Sequence, residues 1–96
     1  VAFLSVLNLG EIIYITERRL GSDTAESILG DILRLPVQLA EADMERVLAA
    51  AHIKAHHAVS YADAFVVSLA QELNATIVTA DPEFKTVQSL VNILWL

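Results

Sequence analysis

The pattern that most limits the possible folds is an alternation between short apolar runs and longer segments with helical periodicity. An apolar run at residues 1–4 precedes a helical segment that extends to Leu20, and the β-branched run at residues 76–79 follows another. Runs of this kind indicate buried strands, whereas apolar positions at three- and four-residue steps indicate amphipathic helices. Strands that alternate with helices pair in parallel, and the crossover helices cover both faces of the sheet. The sequence therefore predicts an α/β fold.

Helix-capping and helix-breaking residues divide the chain into elements. Short polar side chains accept a hydrogen bond from the free N–H groups at the start of a helix, whereas Gly and Asn end helices in the left-handed conformation and Pro stops them. The residues expected in these roles are Ser5, Gly21, Ser22 or Asp23 with Glu26, Pro36, Ser60, Asn74 and Asp81. They predict helices that end at about residues 20, 35, 57 and 74, a short strand at 37–39, a helical turn after Asp81 and a last strand at 91–96.

Length and composition are those of a compact domain. The chain has 96 residues, 55% of them hydrophobic, so we expect residues 1–96 to form one domain with its own core. Its longest apolar runs are far shorter than the roughly 18 residues that cross a bilayer, and no secretory signal opens the sequence. The absence of cysteine agrees with a reducing compartment. We therefore expect a cytoplasmic protein that is not bound to a membrane.

The net charge of -6 excludes one common way of binding nucleic acid. A broad basic surface needs clustered Lys and Arg to neutralise phosphates, and this chain has only six such residues. RNA would have to be bound in another way. A bound divalent cation reverses the local sign of the electrostatic potential, so an acidic metal site could bind RNA.

Three acidic residues lie at positions where a parallel sheet gathers ligands. Asp81 follows the strand at residues 76–79, Asp63 lies in the first turn of a predicted helix, and Glu11 lies about one and a half turns into the helix after the opening strand. Carboxyl ends of strands and the helix starts that follow them meet at one edge of the sheet. Converging carboxylates repel one another, and a hard cation such as Mg²⁺ or Mn²⁺ compensates them. Such a site suits hydrolysis of a phosphodiester.

Each acid also has a purely structural interpretation. Asp63 completes a capping box with Ser60, and Asp81 caps a helix that begins with Pro82. Glu11 is a candidate solvent-exposed helix residue, although apolar neighbours surround it. If these roles are the whole explanation, the domain is an unrelated α/β protein whose carboxylates lie far apart.

The three acids lie in the segments Ser5-Val6-Leu7-Asn8-Leu9-Gly10-Glu11-Ile12-Ile13-Tyr14, Ser60-Tyr61-Ala62-Asp63-Ala64-Phe65 and Thr76-Ile77-Val78-Thr79-Ala80-Asp81-Pro82-Glu83-Phe84. Together these segments resemble the PIN-domain family, which includes the VapC toxins. Their order and spacing fit the family. The resemblance implies a three-layer α/β/α fold with a parallel sheet. It also implies an endoribonuclease of toxin–antitoxin type that depends on Mg²⁺ or Mn²⁺ and cleaves RNA phosphodiesters with a metal-activated water.

The same resemblance assigns roles and partners. Glu11, Asp63 and Asp81 correspond to three of the four metal-binding acids of the family and hence to its catalytic residues. Thr79 corresponds to a hydroxyl near the site, and Ser5 and Asn8 are candidate polar neighbours. The implied partners are an RNA substrate and a small antitoxin protein.

The chain departs from the family at its start. PIN domains open with a central strand that ends in an Asp, and nothing here matches that segment, so we expect a domain incomplete at its N-terminus. Strands flanking an absent central strand expose unpaired edges, which predicts a homodimer or higher homo-oligomer. Without the fourth acid we expect metal binding weaker than in a complete domain and a chain that is nearly inactive as a ribonuclease. The alternative function is a catalytically inactive PIN remnant that acts as a dimerisation or partner-binding module.

Two further features are interpreted structurally. His52 and His56 have a spacing that can bind zinc, but no third ligand is near in the sequence, so they are expected to be surface residues. Trp95 and Leu96, at the end of the last strand, are expected in the core or in an interface.

Overall fold

The computed structural model describes residues 1–96, and its elements follow the predicted order. They are strand β1 (Ala2–Ser5), helices α1 (Val6–Leu20) and α2 (Ser22–Leu33), strand β2 (Val37–Ala40), helices α3 (Met44–His56) and α4 (Tyr61–Leu73), strand β3 (Thr76–Thr79), a 3₁₀ helix (Pro82–Val87) and strand β4 (Asn92–Trp95). None of the helices combines the length and the apolar character that a membrane span requires.

The chain divides into two compact units, Val1–Ala42 and Asp43–Leu96. Each unit contains one two-stranded sheet, and both sheets are parallel. Parallel strands need a crossover connection, which the helix pair α1 and α2 provides in the first unit and the 3₁₀ helix with its flanking turns provides in the second. The predicted α/β class with parallel pairing is confirmed.

The first unit is a crossover with a small core. β1 and β2 run in register from the pair Ala2 and Val37 to the pair Ser5 and Ala40. α1 packs against α2, yet α1 has no buried residue and α2 buries only Ala25. Burial of apolar surface is the main source of stability. Because α1 and α2 bury so little of it, their apolar side chains remain available to other contacts.

The second unit has most of the core, and α4 is its central element. α4 packs against α3 and β3, and its Phe65 and Val67 are fully buried. The apolar core residues of this unit are Ala50, Ile53, Val59, Ala64, Phe65, Val67, Leu69, Ala70, Ile77, Phe84 and Val87.

Polar contacts also join α3 and α4. Arg46 of α3 binds both carboxylate oxygens of Glu72 at 2.9 to 3.3 Å, and the Tyr61 hydroxyl donates to the Val47 carbonyl at 3.0 Å.

Most of the predicted caps are observed, with one correction. Ser5, Ser60 and Asp81 cap their helices through the side chain, and Asn74 ends α4 with a left-handed φ of 50°. The prediction that Ser22 or Asp23 caps α2 is wrong, because α2 begins at Ser22 and Gly21 occupies the cap position without a side-chain bond. Gly21 ends α1 and starts α2 with φ 91°, a conformation that favours glycine. Because Gly21 is the single residue between α1 and α2, no other residue can occupy the cap position of α2.

Trp95 and Leu96, which were expected in the core or in an interface, lie at the surface of this chain. Trp95 is 39% exposed and Leu96 is 83% exposed, so neither residue belongs to the core of this chain. The sheet that contains β4 has only two strands, so one edge of β4 has no partner strand.

Candidate metal centre

An acid cluster lies in the second unit. It consists of Asp63, Asp81 and Glu83, each of which offers one carboxylate oxygen, and these oxygens all lie within 4.8 Å of one another. Asp63 is half-buried, whereas Asp81 and Glu83 are exposed. The cluster is therefore open to solvent on one side and supported by the fold on the other.

Helix α4 fixes the position of Asp63. Ser60 caps this helix, and its Oγ accepts the backbone N–H of Asp63 at 3.1 Å. The next two residues, Ala64 and Phe65, are fully buried, so the first turn of α4 is anchored by packing. A negative charge in the first turn is also favoured by the helix dipole. The backbone thus holds the Asp63 carboxylate at a well-defined place although the side chain is partly accessible.

The turn after β3 fixes Asp81 and Glu83. The backbone N–H of Asp81 donates to the Thr79 Oγ1 at 3.0 Å, and Asp81 Oδ1 accepts the backbone N–H of Glu83 at 2.9 Å. Pro82 at the first position of the 3₁₀ helix restricts φ and so stiffens this turn. Asp81 is a helix cap, as one interpretation of the sequence predicts, and it is also a member of the acid cluster.

The donor set of the cluster fits a hard divalent cation. All three candidate ligands are carboxylates, and oxygen ligands are those that Mg²⁺, Mn²⁺ and Ca²⁺ prefer, whereas zinc favours His and Cys. Two oxygens on opposite sides of a Mg²⁺ ion are about 4 Å apart, because each bond measures about 2.0–2.1 Å. Small side-chain rotations would bring oxygens within 4.8 Å to that spacing. A cation would also offset the repulsion among three negative charges.

A second set of polar residues lies in the first unit, at the junction of β1 and α1. Buried Ser5 donates from its Oγ to Asn8 Oδ1 at 2.5 Å and accepts the backbone N–H of Asn8 at 3.1 Å. The Asn8 Nδ2 donates to Glu11 Oε1 over a longer distance of 3.4 Å. This chain of hydrogen bonds orients the half-buried Glu11 carboxylate along the first two turns of α1.

The structure therefore brings Asp63 and Asp81 together, and places Thr79 beside Asp81 as a hydrogen-bond acceptor. Glu11 lies in the first unit with Ser5 and Asn8, and its role as a metal ligand stays a prediction. Glu83 has no predicted role in the sequence analysis. The signal that identifies it is an acid two residues after a capping Asp, at the carboxyl end of a strand.

The histidines are surface residues, as predicted. His52 and His56 are exposed on α3, with ring centroids 4.7 Å apart, and the His56 Nδ1 is 2.9 Å from the His52 carbonyl oxygen. The structure offers these two rings no third metal ligand of the kinds His, Cys, Asp or Glu.

Comparison with known proteins identifies a family model and a similar solved structure. A family model described as PIN domain matches residues 1–90. Among solved structures, a chain of the DNA-bound VapBC from Salmonella typhimurium matches with a TM-score of 0.74 and 23% sequence identity, over 96% of this chain and 73% of that chain. At this identity the structural match shows a common fold. No curated protein gives a significant match.

Proposed function

Because the chain belongs to the PIN domain family, whose members are generally nucleases, we propose that it is a metal-dependent endoribonuclease of toxin–antitoxin type. The observation that carries the proposal is the acid cluster of Asp63, Asp81 and Glu83. The likeness to a chain of a VapBC assembly supports a small antitoxin protein as the partner. The substrate of the proposed reaction is an RNA phosphodiester.

In this proposal the cluster holds Mg²⁺ or Mn²⁺ through one oxygen from each carboxylate. When bound, such an ion lowers the pKa of a coordinated water and stabilises charge on phosphoryl oxygens. The protein residues supply geometry. The Asp81 carboxylate is oriented by the Glu83 N–H, which donates to its Oδ1, and Thr79 fixes the backbone of Asp81. None of the acids serves as a covalent nucleophile.

Glu11 enters the proposal through the family resemblance. Its carboxylate is oriented by Asn8, which is itself held by buried Ser5. We therefore assign Ser5 and Asn8 to the positioning of Glu11 and expect their loss to act through that carboxylate.

The second candidate function is a catalytically inactive module that binds a partner or a second copy of itself. The observation that favours it is the apolar surface of the first unit, where α1 buries no residue. Leu20, Leu33 and Leu35 are each more than half exposed there. This candidate predicts assembly without RNA cleavage.

The test is cleavage of an RNA oligonucleotide that bears a fluorophore and a quencher, with Mg²⁺ or Mn²⁺ supplied. The proposed nuclease cleaves it, at the low rate expected for a site that lacks the fourth acid, and EDTA abolishes the signal. The double variant Asp63→Asn, Asp81→Asn should lose at least about a hundredfold in rate, since even groups around a metal site contribute 10–100-fold. The matched control is Asp43→Asn, which removes one carboxylate from the same unit but keeps a good cap for α3.

The outcomes separate the candidates. Cleavage that survives EDTA contradicts the metal mechanism, and cleavage that survives the double substitution moves the site elsewhere. A wild-type chain that forms oligomers or binds an antitoxin but cleaves no RNA supports the inactive module.

A further inference from the structure

One face of α1 presents an acid, an aromatic ring and a guanidinium in a row. Glu11, Tyr14 and Arg18 are separated by three and four residues, a spacing that puts them on one side of the helix. From Glu11 to Arg18 the helix rises about 10 Å, at about 1.5 Å per residue. We call these three residues the α1 stripe. It begins at the carboxylate that Asn8 orients and ends in the last turn of the helix.

Tyr14 and Arg18 interact with each other and remain accessible. The Arg18 Cζ lies 5.4 Å from the centroid of the Tyr14 ring, which is the geometry of a cation–π contact. Tyr14 is 50% exposed, and Arg18 is also exposed. The contact keeps the guanidinium next to the ring. Together they offer a flat aromatic surface beside a fixed positive charge.

Most other cations of the chain already have a partner. Arg34 pairs with Asp31, Arg46 pairs with Glu72, and the Lys54 Nζ donates to the Val59 carbonyl at 2.8 Å. Arg18 and Arg19 form no ion pair, although the chain as a whole has a net charge of -6. The end of α1 is therefore the place in the first unit where positive charge is not neutralised.

We propose that Tyr14 and Arg18 bind single-stranded RNA, with the ring stacked on a base and the guanidinium bonded to a phosphate. Aromatic stacking beside a basic group is the common way in which proteins bind single strands, and Arg suits phosphate because its N–H groups form a fork. A strand that follows the stripe extends from Arg18 to Glu11, over about 10 Å of the helix. This inference rests on the proposed function, because it supplies substrate contacts for the proposed ribonuclease.

The test measures binding without metal, so that no cleavage interferes. A fluorescein-labelled single-stranded RNA of mixed sequence is titrated with the full chain in EDTA, and fluorescence anisotropy gives Kd. Tyr14→Ala and Arg18→Ala should each weaken binding about tenfold, within the range for loss of one stacked base. Tyr14→Phe keeps the ring and should stay within about twofold of the wild type.

Salt dependence separates the two contacts. Loss of one phosphate contact decreases the magnitude of the slope of log K against log salt by about 0.7 for a single strand. Arg18→Ala should show this decrease, whereas Tyr14→Ala should weaken binding with the slope unchanged.

Arg19 is the matched control, since it has the same charge in the same helical turn but points about 100° away from Arg18. Arg19→Ala should stay within about threefold of the wild type, as a distant exposed charge is largely screened. Equal losses for Arg18→Ala and Arg19→Ala overturn the proposal in favour of a diffuse charge effect. Absence of RNA binding by the wild type also overturns it. Circular dichroism checks that each variant keeps its helices.

Failure of the inference is distinct from failure of the proposed function. If the wild type cleaves RNA with Mn²⁺ but Tyr14→Ala and Arg18→Ala bind RNA normally, the proposed RNA contacts are wrong and the proposed nuclease function is supported. If those variants lose RNA binding as expected but the wild type does not cleave RNA with any metal ion, the proposed RNA contacts are supported and the proposed nuclease function is wrong.

Discussion

Asp81 shows how a structural role and a chemical role fit in one side chain. Its Oδ1 accepts the Glu83 N–H and caps the 3₁₀ helix, and its carboxylate also belongs to the acid cluster. At the level of the sequence these roles are alternatives. A carboxylate has two oxygens with several acceptor positions, so the cap bond leaves one oxygen for a cation. The cap interpretation is therefore no argument against a metal site.

At the residue scale we predict that Asp63→Asn and Asp81→Asn each weaken Mn²⁺ binding about tenfold or more. Affinity for hard cations depends on the number of charged ligands, and each substitution removes one of three carboxylates. Isothermal titration calorimetry measures the effect. Asp81→Asn retains an acceptor for the cap, so a loss of affinity is not a loss of the 3₁₀ helix. Asp43→Asn serves again as control, and affinities equal to the wild type in all variants would place the site elsewhere.

The candidate site was predictable from sequence only in part. Asp63 and Asp81 stand at a helix start and a strand end, two places that the pattern of elements already associates with ligands. Glu83 was missed because residues two apart do not face each other on an α-helix. Here Asp81 lies outside the helix as its cap, and the turn between them folds Glu83 back into the same cluster.

At the element scale, Asn74 provides a test of the helix end. It closes α4 at φ 50° and ψ 46°, and its backbone N–H bonds to carbonyls of the last turn. We expect Asn74→Ala to lower the free energy of unfolding by about 1 kcal/mol, because a Cβ without a compensating polar group disfavours this conformation. Asn74→Gly should be neutral or slightly stabilising. Urea unfolding of both variants measures the difference, and equal stabilities would mean that the left-handed cap contributes nothing.

Elements were predicted best where a polar side chain marks the boundary. Ser5, Ser60 and Asn74 each stand at the end of a helix as expected, since their caps are local interactions. The start of α2 was predicted wrongly because Gly21 ends one helix and begins the next. The environment of Trp95 depends on how many strands pair with β4, which is not a local property, and its exposure leaves an interface as the predicted alternative to the core.

At the scale of the whole molecule, the sheets leave apolar surface uncovered. Val78 of β3 and Leu94 of β4 are direct partners across the strands, and they are 58% and 57% exposed. Two-stranded sheets are marginal alone, and unpaired edges invite further pairing. We therefore predict self-association of the chain, and expect Leu94→Lys to shift it toward the monomer. Light scattering after size-exclusion chromatography measures the mass.

The control for self-association is Leu48→Lys, which changes an apolar residue of α3 that is 61% exposed and leaves the sheet unchanged. It should keep the mass of the wild type. A wild-type chain that is monomeric at all concentrations would contradict the prediction, and equal dissociation by both variants would move the interface away from β3 and β4.

The acid cluster has a consequence for folding itself. Its carboxylates lie in the first turn of α4 and at the cap and first turn of the 3₁₀ helix, so their mutual repulsion opposes the native state of the second unit when no cation is near. A ligand that binds only the native state stabilises it by RT ln(1 + [L]/Kd), about 1.4 kcal/mol for each tenfold excess over Kd. If the cluster binds the proposed cation, cation binding and folding are one coupled equilibrium. The melting temperature of such a protein rises with the concentration of free divalent cation.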